Sequence, residues 1–226
     1  MTRIISGVAG SRKLASPAKA TRPTSDRIRE SIFNRLQARD WVDNKRVLDL
    51  YAGTGALALE AVSRGAIYAM MVERDGQAAA VCVNNSNMIQ KAMASEGFYD
   101  QVTKVAQKAV TSFLSTDTLV YDLVFIDPPY DVSNEEVATN LKALMPRLAK
   151  DAIVMLERSS RSGSVELPEG LELDEEKNFG DTTVFWLTRA KFLVRKISSP
   201  HCSSHHRQRS CGRKNPDQMV GVFVWL

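Results

Sequence analysis

Cysteine and histidine are scarce in this chain of 226 residues. Cys82, Cys202 and Cys211 are too few to staple a fold of this size, so a disulfide framework is excluded. His201, His205 and His206 stand with Cys202 and Cys211 near the C-terminus, and their spacing matches no common zinc site. No metal is expected. Apolar runs of bilayer length are also missing: the run at 220–226 is far too short, and the Ile4-Ile5 pair is followed at once by Ser, Gly, Arg and Lys, unlike a signal peptide. A cytoplasmic protein with no membrane partner is expected. There are no internal repeats, and the apolar and charged fractions are those of an ordinary globular chain.

What is present is an uneven charge. The formal net charge is +4. Residues 1–46 hold 11 Lys and Arg against 4 Asp and Glu; residues 47–190 hold 12 against 21; residues 191–226 hold 7 against 1. An acidic body lies between two basic ends, and a polyanionic substrate would have to be held by those ends. Solvated termini would give the same counts, so charge alone does not name a partner. The expected organisation is a basic N-terminal arm and helix over 1–45, a domain over 46–190, and a basic tail over 191–226. Residues 198–210, rich in Ser, His and Arg and without periodicity, are expected to be disordered.

The body alternates strand and helix signals. Buried-strand runs are expected at 46–51, 67–72, 102–106, 121–126 and 152–156, with helices through about 64, 91 and 149. The segments 171–174 and 183–187 read as an antiparallel hairpin. In the arm, Gly7, Gly10, Pro17 and Pro23 break regular structure before a helix over about 24–36, capped by Thr24 or Ser25. Alternation at this spacing predicts an α/β fold, a mostly parallel sheet with helices on both faces. Cys82, Trp41 and Trp186 are expected as packing residues.

Two loops carry chemistry. Asp49-Leu50-Tyr51-Ala52-Gly53-Thr54-Gly55 turns from strand to helix, where open parallel sheets bind ligands. Gly53 and Gly55 let backbone pass close to a ligand, and Glu73, ending the next strand, can accept from a ribose diol. A loose dinucleotide fingerprint is satisfied too, so NAD must be weighed. Asp49 favours S-adenosylmethionine, because a carboxylate can pair with the amino group of an amino-acid moiety, whereas a pyrophosphate gives it no partner. The second loop, Asp127-Pro128-Pro129-Tyr130, follows the fourth strand. An exocyclic amine on a base is a poor nucleophile, its lone pair being delocalised into the ring. The Asp127 carboxylate and the Pro128 carbonyl accepting its two N–H bonds would orient that lone pair toward a methyl donor. Pro128 and Pro129 stiffen the loop and bring no competing N–H. Tyr130 offers a stacking face for an extruded base.

With the arm, these residues form a pattern. Arg3-Ile4-Ile5-Ser6-Gly7, Gly10-Ser11-Arg12-Lys13-Leu14, Arg22-Pro23-Thr24-Ser25-Asp26-Arg27-Ile28-Arg29-Glu30-Ser31-Ile32-Phe33-Asn34, residues 49–66 and Asp127 to Tyr130 together resemble the RsmD family over about residues 3–188. The resemblance implies a seven-stranded Rossmann-like class I S-adenosylmethionine-dependent methyltransferase fold with a basic N-terminal arm. It implies methylation of the N2 amino group of a guanine in 16S rRNA, within the 30S subunit or an assembly intermediate. By carry-over, Asp49, Ala52, Gly53, Thr54, Gly55 and Glu73 are the expected cofactor residues, and Asp127, Pro128, Pro129 and Tyr130 the catalytic loop. Arg3, Arg12, Lys13, Arg22, Arg27 and Arg29 are the expected RNA contacts; since Arg27 and Arg29 cannot share a helix face, one should form an internal ion pair. Two features depart from the pattern. Lys108-Ala109 stands where the family usually carries an Asp or Asn for the adenine, and residues 191–226 extend past the family's usual end.

A DNA adenine-N6 methyltransferase would use the same tetrapeptide, but residues 1–45 leave little room to read a major groove. A non-catalytic RNA-binding assembly factor is the other alternative, opposed by the intact Asp127 and Glu73. A monomer is expected.

Overall fold

The computed structural model describes residues 2–16, 25–100 and 102–190. The expectations for Arg22, Pro17, Pro23, Thr24 and the 191–226 tail lie outside these residues. Those described fall within one compact unit, Met1–Lys191, which takes in the described residues of the N-terminal arm together with the sheet.

The strands are β1 (Arg46–Leu50), β2 (Tyr68–Glu73), β3 (Val102–Gln107), β4 (Tyr121–Ile126), β5 (Leu148–Ser159), β6 (Leu171–Phe179) and β7 (Thr182–Arg189); the helices are α1 (Asp26–Ala38), α2 (Ala56–Ser63), α3 (Gly76–Ser95), α4 (Val110–Thr116) and α5 (Asn134–Leu144). The sheet order is β3-β2-β1-β4-β5-β7-β6. β3, β2, β1, β4 and β5 run parallel, and β7 pairs antiparallel with both β5 and β6. The chain winds outward in one direction from β1 to β3 and in the other from β4. The gap between β1 and β4 is therefore the switch point where a ligand crevice opens.

Strand side chains alternate between two cores. Val47, Phe125, Met155 and Trp186 lie in one, with Ile32, Phe33 and Leu36 of α1. Leu48, Val124, Leu156 and Leu187 lie in the other, with Phe113 of α4 and Leu141 of α5. Phe33 meets Phe125 at 5.8 Å between ring centroids, and Trp41 meets Trp186 at 6.4 Å. Each aromatic pair adds about 0.5–1.5 kcal/mol beyond its buried area. Cys82 is buried, as expected.

Two local expectations are corrected. The helix expected through about 149 ends at Leu144; Pro146 sits in a 3-10 turn, Met145–Arg147, and Leu148 already opens β5. Proline cannot donate into a helix and clashes with its preceding turn, which is enough to stop it. The short α4 was not expected, because its seven residues are too few to show a helical stripe.

The arm is more ordered than its glycines suggest. Residues 2–14 double back, with Ile4 N–H on the Arg12 carbonyl (2.9 Å), Ser11 N–H on the Ile4 carbonyl (2.9 Å) and an antiparallel bridge between Arg3 and Lys13. Ile4, Ala9 and Leu14 are buried in the core shared with α2. The fully buried Glu60 of α2 accepts from the Ile5 and Ser6 N–H groups at 2.6 and 3.0 Å and pairs with Arg64. Gly7 explains itself here: at φ +83°, a Cβ on it would fall 1.9 Å from the Ser63 carbonyl oxygen.

Candidate active site

Val72 of β2, Leu50 of β1, Ile126 of β4 and Leu156 of β5 form the last paired row at the carboxyl edge of the sheet. Glu73, Tyr51, Asp127 and Glu157 follow these residues directly. The strands thus deliver three carboxylates and a phenol to one edge, at the switch point, and the sequence named two of the four as site residues.

The loop after β1 is built on its own backbone. Asp49 is 1% exposed, and its Oδ2 accepts from the Ala58 N–H at 3.2 Å, tying the strand to the first turn of α2. Burial raises its pKa well above the usual carboxylate range, and the neighbouring Asp127 and Glu73 charges raise it further, against the Ala58 hydrogen bond. Glu73 accepts from the Gly53 N–H at 2.9 Å and the Asp75 N–H at 2.7 Å. Ala52 N–H donates to the Val72 carbonyl, and Asn85 of α3 donates to the Thr54 carbonyl at 3.0 Å while also holding Ala15 of the arm. Gly55 is at φ +81°, and a Cβ there would lie 2.9 Å from both Cys82 Sγ and Met71 Sδ. A Cβ on Gly53 would meet nothing within 4 Å, so the space above the loop is open.

Sequence reasoning missed the neighbour in this loop that is hardest to accommodate. Tyr51 holds φ +67°, a conformation that costs an L-residue energy. Its hydroxyl accepts from Asn140 of α5 at 2.7 Å, and burial, with the Glu136 carboxylate next, pushes its pKa up to about 12. A tyrosine before a glycine pair gives no sequence signal of positive φ.

The Asp127-Pro128-Pro129-Tyr130 loop is the more open half. Asp127 is half-buried, Pro128 buried, Pro129 exposed and Tyr130 69% exposed. The Val132 N–H closes a turn on the Pro129 carbonyl at 3.0 Å. Beyond it, Arg158 of β5 donates through Nη2 to the Val132 carbonyl (2.8 Å) and to Asn134 Oδ1 (2.9 Å). Tyr130, Asn134, Arg158 and Ser162 line a cleft beside the loop. Arg158 and Glu157, buried to 5% and 8% exposure, were missed as site residues.

The six expected RNA contacts separate. Arg3, Lys13 and Arg27 are exposed and Arg12 is half-buried, with Nη1 on the Val8 carbonyl. Arg29 is corrected: at 1% exposure it binds Asp26 (2.6 Å) and the Arg3 carbonyl (2.8 Å), so it is the internal partner and Arg27 the outward one. At the departure after β3, the Lys108 N–H is spent on the Glu73 and Ala106 carbonyls. Among the described residues, no group of three His, Cys, Asp or Glu is placed to hold a metal, and no helix is long and apolar enough to cross a membrane.

A sheet of this order, with β7 inserted antiparallel, is the fold of the S-adenosylmethionine-dependent methyltransferases. A candidate methyltransferase of that type from Streptococcus mutans, only 13% identical, superimposes with a TM-score of 0.57 over 72% of this chain and 48% of that one. Nearer relatives narrow the class. The family described as conserved hypothetical protein 95 matches residues 2–188. Ribosomal RNA small subunit methyltransferase D of Escherichia coli strain K12 is 32% identical over 179 residues, covering 79% of this chain and 85% of that one. The candidate methyltransferase yhhF of Escherichia coli superimposes with a TM-score of 0.68 at 31% identity, over 83% of this chain and 97% of that one. This chain belongs to the RsmD family, that of conserved hypothetical protein 95.

Proposed function

We propose that this protein transfers a methyl group from S-adenosylmethionine to the exocyclic N2 amino group of a guanine in 16S rRNA of the small subunit, acting in the cytoplasm as a monomer. The observation that carries the reading is the meeting of Asp49, Glu73 and Asp127 at one sheet edge, close enough for the other two to raise the Asp49 pKa. A cluster of carboxylates suits a ligand that brings positive charge. When bound, S-adenosylmethionine supplies an electrophilic methyl on a sulfonium, beside an ammonium and a ribose diol.

The residues fit such a group. Glu73 stands at the carboxyl end of β2, where its oxygens keep lone pairs for ribose hydroxyls beyond the two backbone N–H groups they accept. Asp49, together with the Ala52-Gly53-Thr54-Gly55 backbone, would hold the amino-acid end, and the open space over Gly53 leaves the room. An incoming ammonium would also hold Asp49 ionised despite its burial. On the other side, the Asp127 carboxylate and the Pro128 carbonyl would accept the two N–H bonds of the guanine amine, with Tyr130 stacking on the ring. The Asp127 carboxylate, already accepting one of the amine's N–H bonds, would be placed to pass the proton that the methylated amine sheds on to solvent. Alignment and matching of charge supply most of the acceleration in such a transfer. The exposed Arg3, Lys13 and Arg27, with Arg12 and Arg22, would hold phosphates of a 30S particle or its assembly intermediate.

The test is incubation with labelled S-adenosylmethionine and 30S particles from cells lacking this protein, followed by mass spectrometry of the nucleosides. Label in N2-methylguanosine is expected. Label in N6-methyladenosine, or in no nucleoside, would overturn the substrate assignment.

A further inference from the structure

The two prolines of Asp127-Pro128-Pro129-Tyr130 remove N–H groups that could have tied the loop down, and its aromatic tip is exposed. The bracing comes from the segment that follows. Arg158 lies two residues past the last row that β5 shares with β4, and its buried guanidinium reaches across to Val132 and Asn134. Asn134 in turn donates to the carbonyls of Ser162 and Ser164, so one side chain ties the segment after Tyr130 to the loop after β5. Asn134 is also the first residue of α5. Six residues along the same helix, the fully buried Asn140 holds the strained Tyr51 of the cofactor loop. α5 is thus pinned at one end to the loop that would carry the target base and, further along, to the loop that would carry the methyl donor.

We propose that Arg158 is a positioning residue: by fixing Val132 and Asn134 it sets where Tyr130 and Asp127 stand relative to the cofactor loop, with α5 as the strut between the two. This rests on the methyltransferase reading for its effect on rate, though not for its effect on the loop. Removing the guanidinium would leave the buried Val132 carbonyl and the half-buried Asn134 Oδ1 without this donor. Burial lowers the Arg158 pKa, and the neighbouring Tyr51 opposes that shift. Misplacement of reacting groups by about 1 Å costs on the order of 10²-fold in rate.

The experiment compares full-length wild type with Arg158→Ala and Arg158→Lys, the latter keeping stem and charge and so protecting against simple failure to fold. Three quantities are measured: kcat and KM for methyl transfer, S-adenosylmethionine affinity by calorimetry, and the rate of chymotryptic cleavage after Tyr130 relative to cleavage after the exposed Tyr99. Arg158→Ala is expected to lower kcat by about 10²-fold with cofactor affinity changed by less than about two-fold. The Tyr130 to Tyr99 cleavage ratio should rise about ten-fold as the loop loosens. Millimolar guanidinium should recover part of both, and Arg158→Lys should lie between. Unchanged kcat, or reduced kcat with an unchanged cleavage ratio, would overturn the proposal. If the wild-type chain transfers no methyl, the cleavage ratio alone decides the clamp, and the missing transfer counts against the methyltransferase reading instead.

Discussion

The loop after β1 and the loop after β4 lie side by side at one sheet edge and are built in opposite ways. In the first, polar side chains turn inward: Asp49 binds Ala58, Glu73 binds Gly53 and Asp75, and Gly55 sits against two sulfur atoms. The second has two prolines and an exposed tyrosine, and is braced by Arg158 on a neighbouring strand. A site of the first kind is formed before its ligand arrives, and disturbing it disturbs the fold. A site of the second kind stays open to a substrate, and disturbing it leaves the fold alone. The difference suits a small cofactor that must be enclosed and a base that must come and go.

The largest expected effect tests the open loop. Asp127→Ala should lower kcat by about 10²–10³-fold, the scale of losing one preorganised charge-stabilising group. The thermal midpoint should hold, because Asp127 is half-buried at a strand end, while S-adenosylmethionine should bind more weakly for want of one carboxylate of the cluster. A collapsed midpoint would show that the open loop is as structural as its neighbour. Next comes the closed loop, through Asp49→Asn. A carboxyl whose pKa is raised by folding disfavours the native state once the unfolded group ionises. Its penalty grows as pH climbs from the ordinary carboxylate value, about 4, toward the raised native value, and is absent below both. Asp49→Asn keeps an acceptor for Ala58 and removes the charge. The variant should therefore gain stability at neutral pH, lose that advantage at low pH, and bind S-adenosylmethionine poorly. Denaturant unfolding at several pH values, paired with calorimetry, measures both; a variant that is less stable at neutral pH contradicts the assignment.

How much of this was readable beforehand follows the same division. The strand–helix alternation and both loops were legible because local pattern carries them: apolar runs of strand length, a glycine pair, a Pro-Pro after a strand. The α5 stop at Pro146 was legible in principle, but Leu148 continued the helical spacing and extended the expected helix. What local pattern cannot carry is a partner far along the chain. Glu60 holds Ile5 across 55 positions, Asn140 holds Tyr51 across 89, and Arg158 holds Val132 across 26. Arg29 shows the intermediate case: helical geometry required that it and Arg27 face apart, yet only packing decided which one turned inward.

The smallest effect concerns neither loop but the surface that would bring RNA to them. Arg3 and Lys13 are exposed on a segment whose backbone is fixed by Glu60, Ser63 and Asn85, and Arg27 is exposed on α1. Because that backbone is anchored by other residues, replacing these side chains with Gln should leave the fold, cofactor affinity and kcat unchanged. Binding to RNA should weaken, and the slope of log K against log salt should fall by about 0.7–0.9 for each phosphate no longer neutralised. Arg29→Gln is the contrasting variant. Its buried guanidinium donates through Nη2 to Asp26 and the Arg3 carbonyl, so its loss should cost stability and leave the salt slope where it was. If the exposed variants keep the full slope, the arm is a structural clamp on α2 and α3, and the phosphates must be met on another face of the molecule.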